Sequence, residues 1–460
     1  MALPDLIEIV PLNQPVQAEI TVPGSKSITN RALIIAALAA GEVTLKGALW
    51  SEDTQIMVAC LKKLGFVVHV APDPDEPCNR TIMVVGQAGL VPSGGTEAEP
   101  LDLFVGNAGT AARFLAPFLC LGSGVYRLRG VARMHERPQA ALFQALRELG
   151  YRIESENGND KLPARIFAGT AGQLPDSMTE FIQRKQEPPV PKQCRVSIEE
   201  SSQFASALLL SAGVGGWKIE IDGENTEESP YVAMTLKLIE AFPKNSGRFQ
   251  IGPDASSGSY FWGAAWLFQK SILNSEIIVY DWTIAESQWQ RDAFFRIYVG
   301  DGIKVGMKQI ISRKNELADS IMTAIVLAPF AGQPIKFIDL GRLRVQECER
   351  VVALRTELTK CGAKVAEEGD MLTVYPSKLE DFHGAEIETY NDHRMAMCFA
   401  ILGLKVPGIK IKNPACVKKT FPNFFQKLAA PPPHGLGAEI WEIKDGQRAR
   451  KLSGDDLFAD

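Results

Sequence analysis

Residues 27–49, SITNRALIIAALAAGEVTLKGAL, decide the fold because their pattern returns along the chain. Apolar residues at helical spacing predict a helix, and the alternating residues after the next glycine predict a strand. Residues 51–70, SEDTQIMVACLKKLGFVVHV, predict a second helix with Ser51 as its N-cap and a second strand after Leu-Gly. One unit of the fold is therefore helix, strand, helix, strand.

This order of elements returns five more times, which makes six copies of a βαβαββ-like unit. The further copies begin at residues 107–130, 201–223, 255–281, 318–341 and 392–413. Six copies in 460 residues predict an α/β (α+β) fold of two domains with three repeats each.

The domain boundaries follow from where the repeats are interrupted. Residues 243–254 are the least repetitive stretch and the best candidate for the crossover between domains. The strand predicted within residues 6–20 has no helix of its own, so we expect it to pair with the C-terminal half. We therefore predict a first domain of residues 1–24 and 250–429, a second of 25–249, and a C-terminal extension of 430–460 that is mobile.

The composition is that of an ordinary globular protein, with 46% hydrophobic and 22% charged residues. The formal net charge of −5 argues against a nucleic-acid-binding protein, which needs a basic surface. The eight cysteines are scattered without Cys-x-x-Cys spacing, which predicts a reducing compartment and no metal site. The N-terminal residues resemble no targeting peptide, and no stretch reaches the about 18 apolar residues of a membrane span. We expect a cytoplasmic protein.

Cations stand at or near the predicted starts of the repeat helices. There they oppose the partial positive charge of the helix dipole unless an anion is bound. Taken together they predict a site for phosphate and carboxylate groups. The set comprises Lys26, Arg31, Arg113, Arg137, Arg350, Arg394 and Lys419.

Each motif alone also has a structural interpretation. Ser27 and Asp319 are each acceptable as helix N-caps, and Glu347 with Arg350 at i, i+3 is acceptable as a surface ion pair. In TYNDHRMAM, residues 389–397, we interpret Asp392 as the helix cap and Arg394 as the anion ligand. His393 has no second metal ligand at a usable spacing.

Eight motifs occur in the order seen in the EPSP synthase (3-phosphoshikimate 1-carboxyvinyltransferase) family, which the chain resembles over about residues 8–429. They are PGSKSITNRAL, GNAGTAAR, RMHERP, SSQF, DASSGSY, RVQECER, YNDHRMAMCFA and KKTFP. The related UDP-N-acetylglucosamine enolpyruvyltransferases share the repeats but lack the Lys-Ser-x-x-Asn-Arg and Asp-His-Arg signatures. The resemblance implies a two-domain, inside-out α/β barrel-like fold.

The resemblance also implies an activity and a set of site residues. The enolpyruvyl group of phosphoenolpyruvate passes to the 5-hydroxyl of shikimate 3-phosphate and phosphate is released, without cofactor or metal. The implied catalytic residues are Asp319, Glu347 and Lys26. The implied shikimate 3-phosphate ligands are Lys26, Ser27, Arg31, Ser201, Ser202, Gln203, Tyr231, Asp319 and Gln346. The implied phosphoenolpyruvate ligands are Lys26, Asn107, Gly109, Arg137, Gln203, Arg350, Arg394 and Lys419. We expect no partners beyond these substrates, neither nucleic acid nor membrane, and a monomer.

Several positions depart from the family pattern. Gln346 stands where the family has Lys, Arg342 where it has Asn, and Glu228 where it has a substrate-binding Ser. Residues 176–194 look like an insertion, and residues 283–316 match poorly. These departures leave open two alternatives: a catalytically impaired homologue that acts as a binding protein, or enolpyruvyl transfer to another acceptor.

Overall fold

The computed structural model describes residues 3–169, 192–199, 201–223, 229–269, 275–280, 289–300 and 306–459. The chain forms two compact units. Unit 1 comprises Met1–Gly24, Pro74–Cys78 and Gly252–Asp460, and unit 2 comprises Ser25–Asp73 and Asn79–Ile251. The sequence predicted changes of domain at 24/25 and 249/250; the compact units change at 24/25 and 251/252, and unit 1 also takes the short segment 74–78, which was not predicted.

The strands are short, and most of the helices lie between them in the chain. The strands are β1 Leu6–Ile9, β2 Gln17–Ile20, β3 Ala40–Leu49, β4 Val67–Pro72, β5 Asn79–Gln87, β6 Leu101–Phe104, β7 Val125–Arg129, β8 Arg152–Ser155, β9 Ala164–Phe167, β10 Lys192–Ser197, β11 Trp217–Asp222, β12 Asn245–Gln250, β13 Glu276–Val279, β14 Ile310–Ser312, β15 Ile335–Ile338, β16 Val365–Glu368, β17 Met371–Val374, β18 Glu386–Ile387, β19 Ile409–Lys412, β20 Ile440–Lys444 and β21 Gln447–Leu452. The α-helices are Lys26–Leu38, Glu52–Lys63, Gly109–Cys120, Ala132–Glu136, Ala140–Glu148, Ser202–Gly215, Ser229–Ala241, Ala255–Gln269, Phe295–Val299, Ile321–Leu327, Arg350–Lys360, His393–Gly403 and Phe424–Ala429.

Unit 2 contains three sheets among its described residues. Two are four-stranded, with the orders β12-β3-β5-β4 and β6-β7-β9-β8, and the third pairs β10 with β11. In each sheet the first two strands are parallel, and the pairs that follow in the four-stranded sheets are antiparallel. The helices supply the crossovers that parallel neighbours require.

Unit 1 repeats this arrangement in the part that the structure describes. Its sheets have the orders β14-β15-β17-β16, β18-β19-β1-β20-β21 and β13-β2. Each again begins with a parallel pair. The prediction that the N-terminal strand pairs with the C-terminal half is confirmed, since β1 lies between β19 and β20 and β2 pairs with β13.

The prediction that residues 430–460 form a mobile appendage was wrong. Strands β20 and β21 form a hairpin that extends the five-stranded sheet through β1. Leu436, Ile440, Leu452 and Leu457 are fully or almost fully buried, which fixes the segment in the core of unit 1. The Pro run and the charged residues of this segment are typical of a mobile chain, and its apolar residues are too widely spaced to indicate a buried hairpin.

The helices that carry the predicted site begin inside their units. Every residue of the helix Gly109–Cys120 is buried, as are ten residues of His393–Gly403. A helix that is apolar all round lies in the interior. The polar groups of its first turn are therefore shielded from water, and the partners left for them are one another or a ligand.

Some expectations lie outside the described residues. These are most of the proposed insertion at 176–194, of which only residues 192–194 are described, as the start of β10, and the Glu228 position. Parts of the poorly matching stretch 283–316 are also outside. In the residues that are described, no helix is both long enough and apolar enough to cross a membrane.

Candidate active site

Arg350 and Asp392 form a buried ion pair at the centre of a cluster in unit 1. The Nε of Arg350 lies 2.6 Å from Asp392 Oδ2, and a second guanidinium nitrogen lies 3.2 Å from Oδ1. The exposed fractions of the two side chains are 1% and 0%. Arg350 is the first residue of its helix, and Asp392 is the N-cap of His393–Gly403. The pair therefore joins two helix starts from different repeats.

Asp392 also confirms its predicted role as a cap. Its side chain accepts a hydrogen bond of 2.8 Å from the backbone N–H of Arg394. One carboxylate thus satisfies a helix terminus and orients Arg350 at the same time. His393 is buried beside it, with Nδ1 3.8 Å from Asp392 Oδ1.

Asp319 is surrounded by arginines. Its carboxylate lies 3.0 Å from the guanidinium of Arg313, 3.3 Å from that of Arg394 and 3.9 Å from that of Arg350. Burial alone would raise the pKa of Asp319, but the charges of Arg394, Arg313 and Arg350 outweigh it and hold the pKa well below its usual range. Asp319 is therefore a carboxylate at neutral pH.

Glu347 lies between two cations. One carboxylate oxygen is 2.8 Å from the Arg350 guanidinium, and the other is 3.0 Å from Nζ of Lys419. The sequence allowed a surface pair here, but the structure buries Arg350. Glu347 and Lys419 keep 20% and 13% of their side-chain surface exposed, so the pair borders the solvent.

Gln346 fills the position where the family has lysine. Its side-chain oxygen accepts a hydrogen bond from Arg350, and its amide nitrogen lies 3.4 Å from Asp319 Oδ1. A neutral amide at this place contacts both the cation and the carboxylate. The departure from the family pattern therefore leaves the cluster connected.

A second cluster lies in unit 2 around the start of the helix Lys26–Leu38. Nζ of Lys26 lies 3.1 Å from Asp53, a buried residue in the first turn of the next helix. Arg31, one turn further on, is 1% exposed. Its guanidinium donates to Thr235 Oγ1 at 2.7 Å, to the Ser27 carbonyl at 2.9 Å and to Ser206 Oγ at 3.2 Å. Its position as a ligand of shikimate 3-phosphate stays a prediction.

The third repeat contributes a serine-capped helix. Ser201 is the N-cap of Ser202–Gly215 and accepts from the N–H of Gln203 at 3.3 Å. The Gln203 side-chain oxygen accepts from Arg113 at 2.5 Å. Arg113, which the sequence analysis counted only as a cation, thus orients a predicted ligand. Tyr231 lies on the adjacent helix and is half-buried.

Asn107, Gly109 and Arg137 come together. A guanidinium nitrogen of Arg137 lies 3.3 Å from the Asn107 carbonyl. A Cβ built on Gly109 would lie only 2.7 Å from the same guanidinium, so a larger residue here would displace the Arg137 side chain. Two motifs that are 30 residues apart in the chain therefore form one corner of unit 2.

Some local predictions were wrong. Ser25, not Ser27, is the N-cap of the first helix. Asp319 is no α-helix cap but lies in a short 3-10 segment, Ala318–Ser320. Arg137 ends the helix Ala132–Glu136 and does not begin the next one. Steric and tertiary contacts move helix boundaries by one or two residues, which propensity does not resolve.

Residues without a sequence signal also belong to the clusters. Asp53, Thr235, Arg313 and Asp292 lie outside the recognised motifs, yet each contacts a predicted site residue or lies beside one. Their burial in the structure reveals them. Among the described residues, no group of three or more His, Cys, Asp or Glu side chains is placed to hold a metal ion.

Solved structures share the fold of this chain. An EPSP synthase from Acinetobacter baumannii superposes with a TM-score of 0.70 at 20% identity, covering 95% of this chain and 99% of that chain. The enolpyruvyl transferase NikO from Streptomyces tendae has a TM-score of 0.63 at 14% identity, with 95% and 98% covered. The fold is therefore that of the enolpyruvyl transferases.

Sequence comparison narrows this class. The family model "EPSP synthase (3-phosphoshikimate 1-carboxyvinyltransferase)" matches residues 11–245 and 243–428. The 3-phosphoshikimate 1-carboxyvinyltransferase of Trichormus variabilis is 35% identical, covering 92% of this chain and 98% of the relative. That of Burkholderia ambifaria is 36% identical, covering 89% and 96%. The chain belongs to the EPSP synthase family.

Proposed function

We propose that this protein transfers the enolpyruvyl group of phosphoenolpyruvate to the 5-hydroxyl of shikimate 3-phosphate, with release of phosphate, in the shikimate pathway of aromatic amino acid biosynthesis. The observation that carries the proposal is the unit 1 cluster. Two carboxylates, Asp319 and Glu347, are each paired with cations, and two of these cations, Arg350 and Arg394, lie in the first turns of helices. This reaction needs both proton transfer and binding of polyanions.

Phosphoenolpyruvate has two anionic groups, a phosphate and a carboxylate. Its proposed ligands, which the family resemblance implies, are Lys26, Asn107, Gly109, Arg137, Gln203, Arg350, Arg394 and Lys419. The guanidinium of Arg394 lies 3.3 Å from Asp319, so an arriving anion competes with this carboxylate for the same N–H groups. When the cation turns to the ligand, Asp319 loses part of the charge that depresses its pKa.

Shikimate 3-phosphate presents a phosphate and several hydroxyls. Its proposed ligands are Lys26, Ser27, Arg31, Ser201, Ser202, Gln203, Tyr231, Asp319 and Gln346. Hydroxyl and amide groups suit the hydroxyls of the ring, and the cations suit the phosphate. Ser201 and Gln203 stand at a helix N-terminus, where backbone N–H groups favour an anion.

The two carboxylates divide the proton transfers. In the addition step, Asp319 accepts the proton of the 5-hydroxyl while the hydroxyl oxygen bonds to C2 of phosphoenolpyruvate. Glu347 enters this step protonated and delivers its proton to C3. In the elimination step, Glu347 takes a proton back from C3, the C2–O bond to phosphate breaks, and the C2=C3 bond forms again. The hydroxyl proton held by Asp319 leaves with the phosphate, which returns both carboxyl groups to their starting states. Lys26 stabilises the charge that develops between the two ligands.

The test is phosphate release from phosphoenolpyruvate with and without shikimate 3-phosphate. We expect release only with both, and a loss of about 100-fold or more in kcat for Glu347→Gln, the usual cost of removing a general acid or base. The matched control is Glu388→Gln, which removes a carboxylate that pairs with Lys412 away from the cluster. Binding of both substrates without turnover would favour the impaired homologue, and release with a different phosphorylated alcohol would favour another acceptor.

The proposal also includes the repeat architecture of the fold and the cellular location of the protein. The recurrence of a parallel strand pair at the start of every described sheet supports six βαβαββ repeats in an inside-out α/β barrel-like fold. All eight cysteines are free, which supports a reducing, cytoplasmic location.

A further inference from the structure

Asp292 is a buried carboxyl group that the proposed reaction does not use. It lies in the 3-10 turn Arg291–Phe294, and only 6% of its surface is exposed. None of the recognised motifs contains it. Burial of a carboxyl group costs free energy unless the group is hydrogen-bonded or paired with a cation.

The Asp292 side chain holds the turn that presents Asp319. Its Oδ1 accepts a hydrogen bond of 2.7 Å from the backbone N–H of Ser320, the residue after Asp319. On the other side of Asp319, Ala318 has φ +46° and ψ −126°, a conformation that residues other than glycine rarely adopt. A strained backbone persists only where surrounding contacts enforce it, and the bond from Asp292 is such a contact.

Asp292 and Asp319 also act on each other through charge. The charged groups around Asp292 are Asp319, Arg394 and Asp254. Burial raises the pKa of Asp292 to about 6, with a further rise from Asp319, and Arg394 opposes both. Electrostatic coupling is reciprocal, so ionised Asp292 makes Asp319 more basic.

We propose that Asp292 is a positioning residue for the proton acceptor Asp319: it holds the Asp319 turn through the Ser320 amide and shares the charge of Arg394 with it. This inference rests on the proposed function, in which Asp319 accepts the hydroxyl proton. Asp292 itself touches no substrate in this assignment. Its effect reaches the reaction only through the placement and basicity of Asp319.

Two substitutions separate the two contributions. Asp292→Asn keeps an oxygen acceptor for the Ser320 amide and removes the charge, whereas Asp292→Ala removes both. The matched control is Asp381→Asn, since Asp381 also accepts from a backbone N–H in a 3-10 turn, at 2.9 Å, but is exposed and distant from the cluster in sequence. Steady-state kcat and KM are measured from pH 5 to 9, and thermal midpoints are measured in parallel.

We expect Asp292→Asn to lower kcat about 10-fold at pH 7.5, because a less basic Asp319 is a weaker proton acceptor. We expect Asp292→Ala to lower it about 100-fold, the typical effect of a displaced catalytic group. KM for both substrates should change less than kcat. The wild-type kcat should fall as the pH drops through about 6, where Asp292 gains its proton, and Asp292→Asn should lack this fall. The thermal midpoint of Asp292→Asn should not drop, whereas a purely structural role would lower midpoint and activity together.

An active wild type whose Asp292→Asn variant keeps the same kcat and pH profile would overturn the inference. So would losses of activity that merely follow losses of thermal stability. A wild type without release dependent on shikimate 3-phosphate would overturn the proposed function instead. In that case a double-mutant cycle of unfolding with Asp292→Asn and Asp319→Asn still decides the coupling. Non-additive stabilities support it, and additive stabilities refute it.

Discussion

The Nε of Arg350 lies 2.6 Å from Asp392 Oδ2, and this pair connects the first residue of one helix to the N-cap of another. Both side chains are buried, so neither finds an alternative partner in water. A cation at a helix start is unfavourable by itself, and Asp392 removes that cost. The pair therefore fixes the geometry from which Glu347 and Arg394 extend.

Removing Asp392 should destabilise unit 1. Asp392→Ala leaves the Arg350 charge buried and removes a helix cap, a combination that should cost about 3–5 kcal/mol. Asp392→Asn keeps a cap acceptor and should cost less. Urea unfolding measures both. The control Asp102→Ala removes a partly exposed carboxylate that also contacts two arginines and should cost at most about 1 kcal/mol. Equal losses at the two sites would contradict the special role of the buried pair.

Arg394→Ala should weaken phosphoenolpyruvate binding without unfolding the chain. Loss of a charge-assisted contact corresponds to about 1.5–3 kcal/mol, or a rise in KM for phosphoenolpyruvate of about 10- to 100-fold. Asp319 keeps Arg313 at 3.0 Å, so the turn retains a cation. Arg394→Lys should recover only part of the loss, because lysine lacks the planar fork. An unfolded Arg394→Ala variant in circular dichroism would return this motif to a purely structural role.

Gln346→Lys tests the main departure from the family pattern. A lysine can donate to Asp319 as the amide does, and its charge should lower KM for shikimate 3-phosphate several-fold. It cannot accept from Arg350, so a small loss of stability should accompany the gain. Substrate titrations and a thermal midpoint check both expectations. An unchanged KM would show that the glutamine already supplies what the reaction needs.

A chain that ends at residue 429 should not retain the fold of unit 1. Burial of Leu436, Ile440, Leu452 and Leu457 contributes about 1.5–3 kcal/mol for each side chain, and the sum is comparable to the whole stability of a typical domain. Limited proteolysis and circular dichroism reveal the loss. The control Arg448→Ala removes a half-exposed guanidinium that pairs with Glu8 and lies over the Trp441 ring, and it should cost about 1 kcal/mol. A stable truncated chain would show that the hairpin is dispensable.

The stability gained by Asp292→Asn should depend on pH. The pKa of Asp292 rises from an ordinary 3.8 to about 6 on folding, so the folded state holds its proton more tightly than the unfolded state. Wild-type stability therefore falls as the pH rises from about 4 to 6 and is then constant in this respect. The asparagine should be nearly neutral at pH 4 and stabilise by up to about 3 kcal/mol at pH 7.5. Urea unfolding at the two pH values measures this difference in stability. An equal effect of the substitution at both values would refute the raised pKa of Asp292.

The mixed α/β fold and the pairing of the first strand with the C-terminal half were predictable because they depend on local periodicity and chain order. The cap at Asp392 was predictable for the same reason. Asp319 and Arg137 were misplaced locally because a positive φ at Ala318 and a helix end before Pro138 depend on tertiary contacts. The C-terminal hairpin was not predicted because its apolar residues form a buried face only when the hairpin pairs with β1.

The sequence by itself determined the family, the repeated elements and the residues that carry charge at helix starts, because these are properties of residue type and spacing. Only the tertiary structure decided which charges pair. Arg350 with Asp392, Arg313 with Asp319 and Asp292 beside Ser320 are separated by between 6 and 42 residues in the chain. Pairing across such distances depends on burial, which removes water as a competing partner and makes each contact specific.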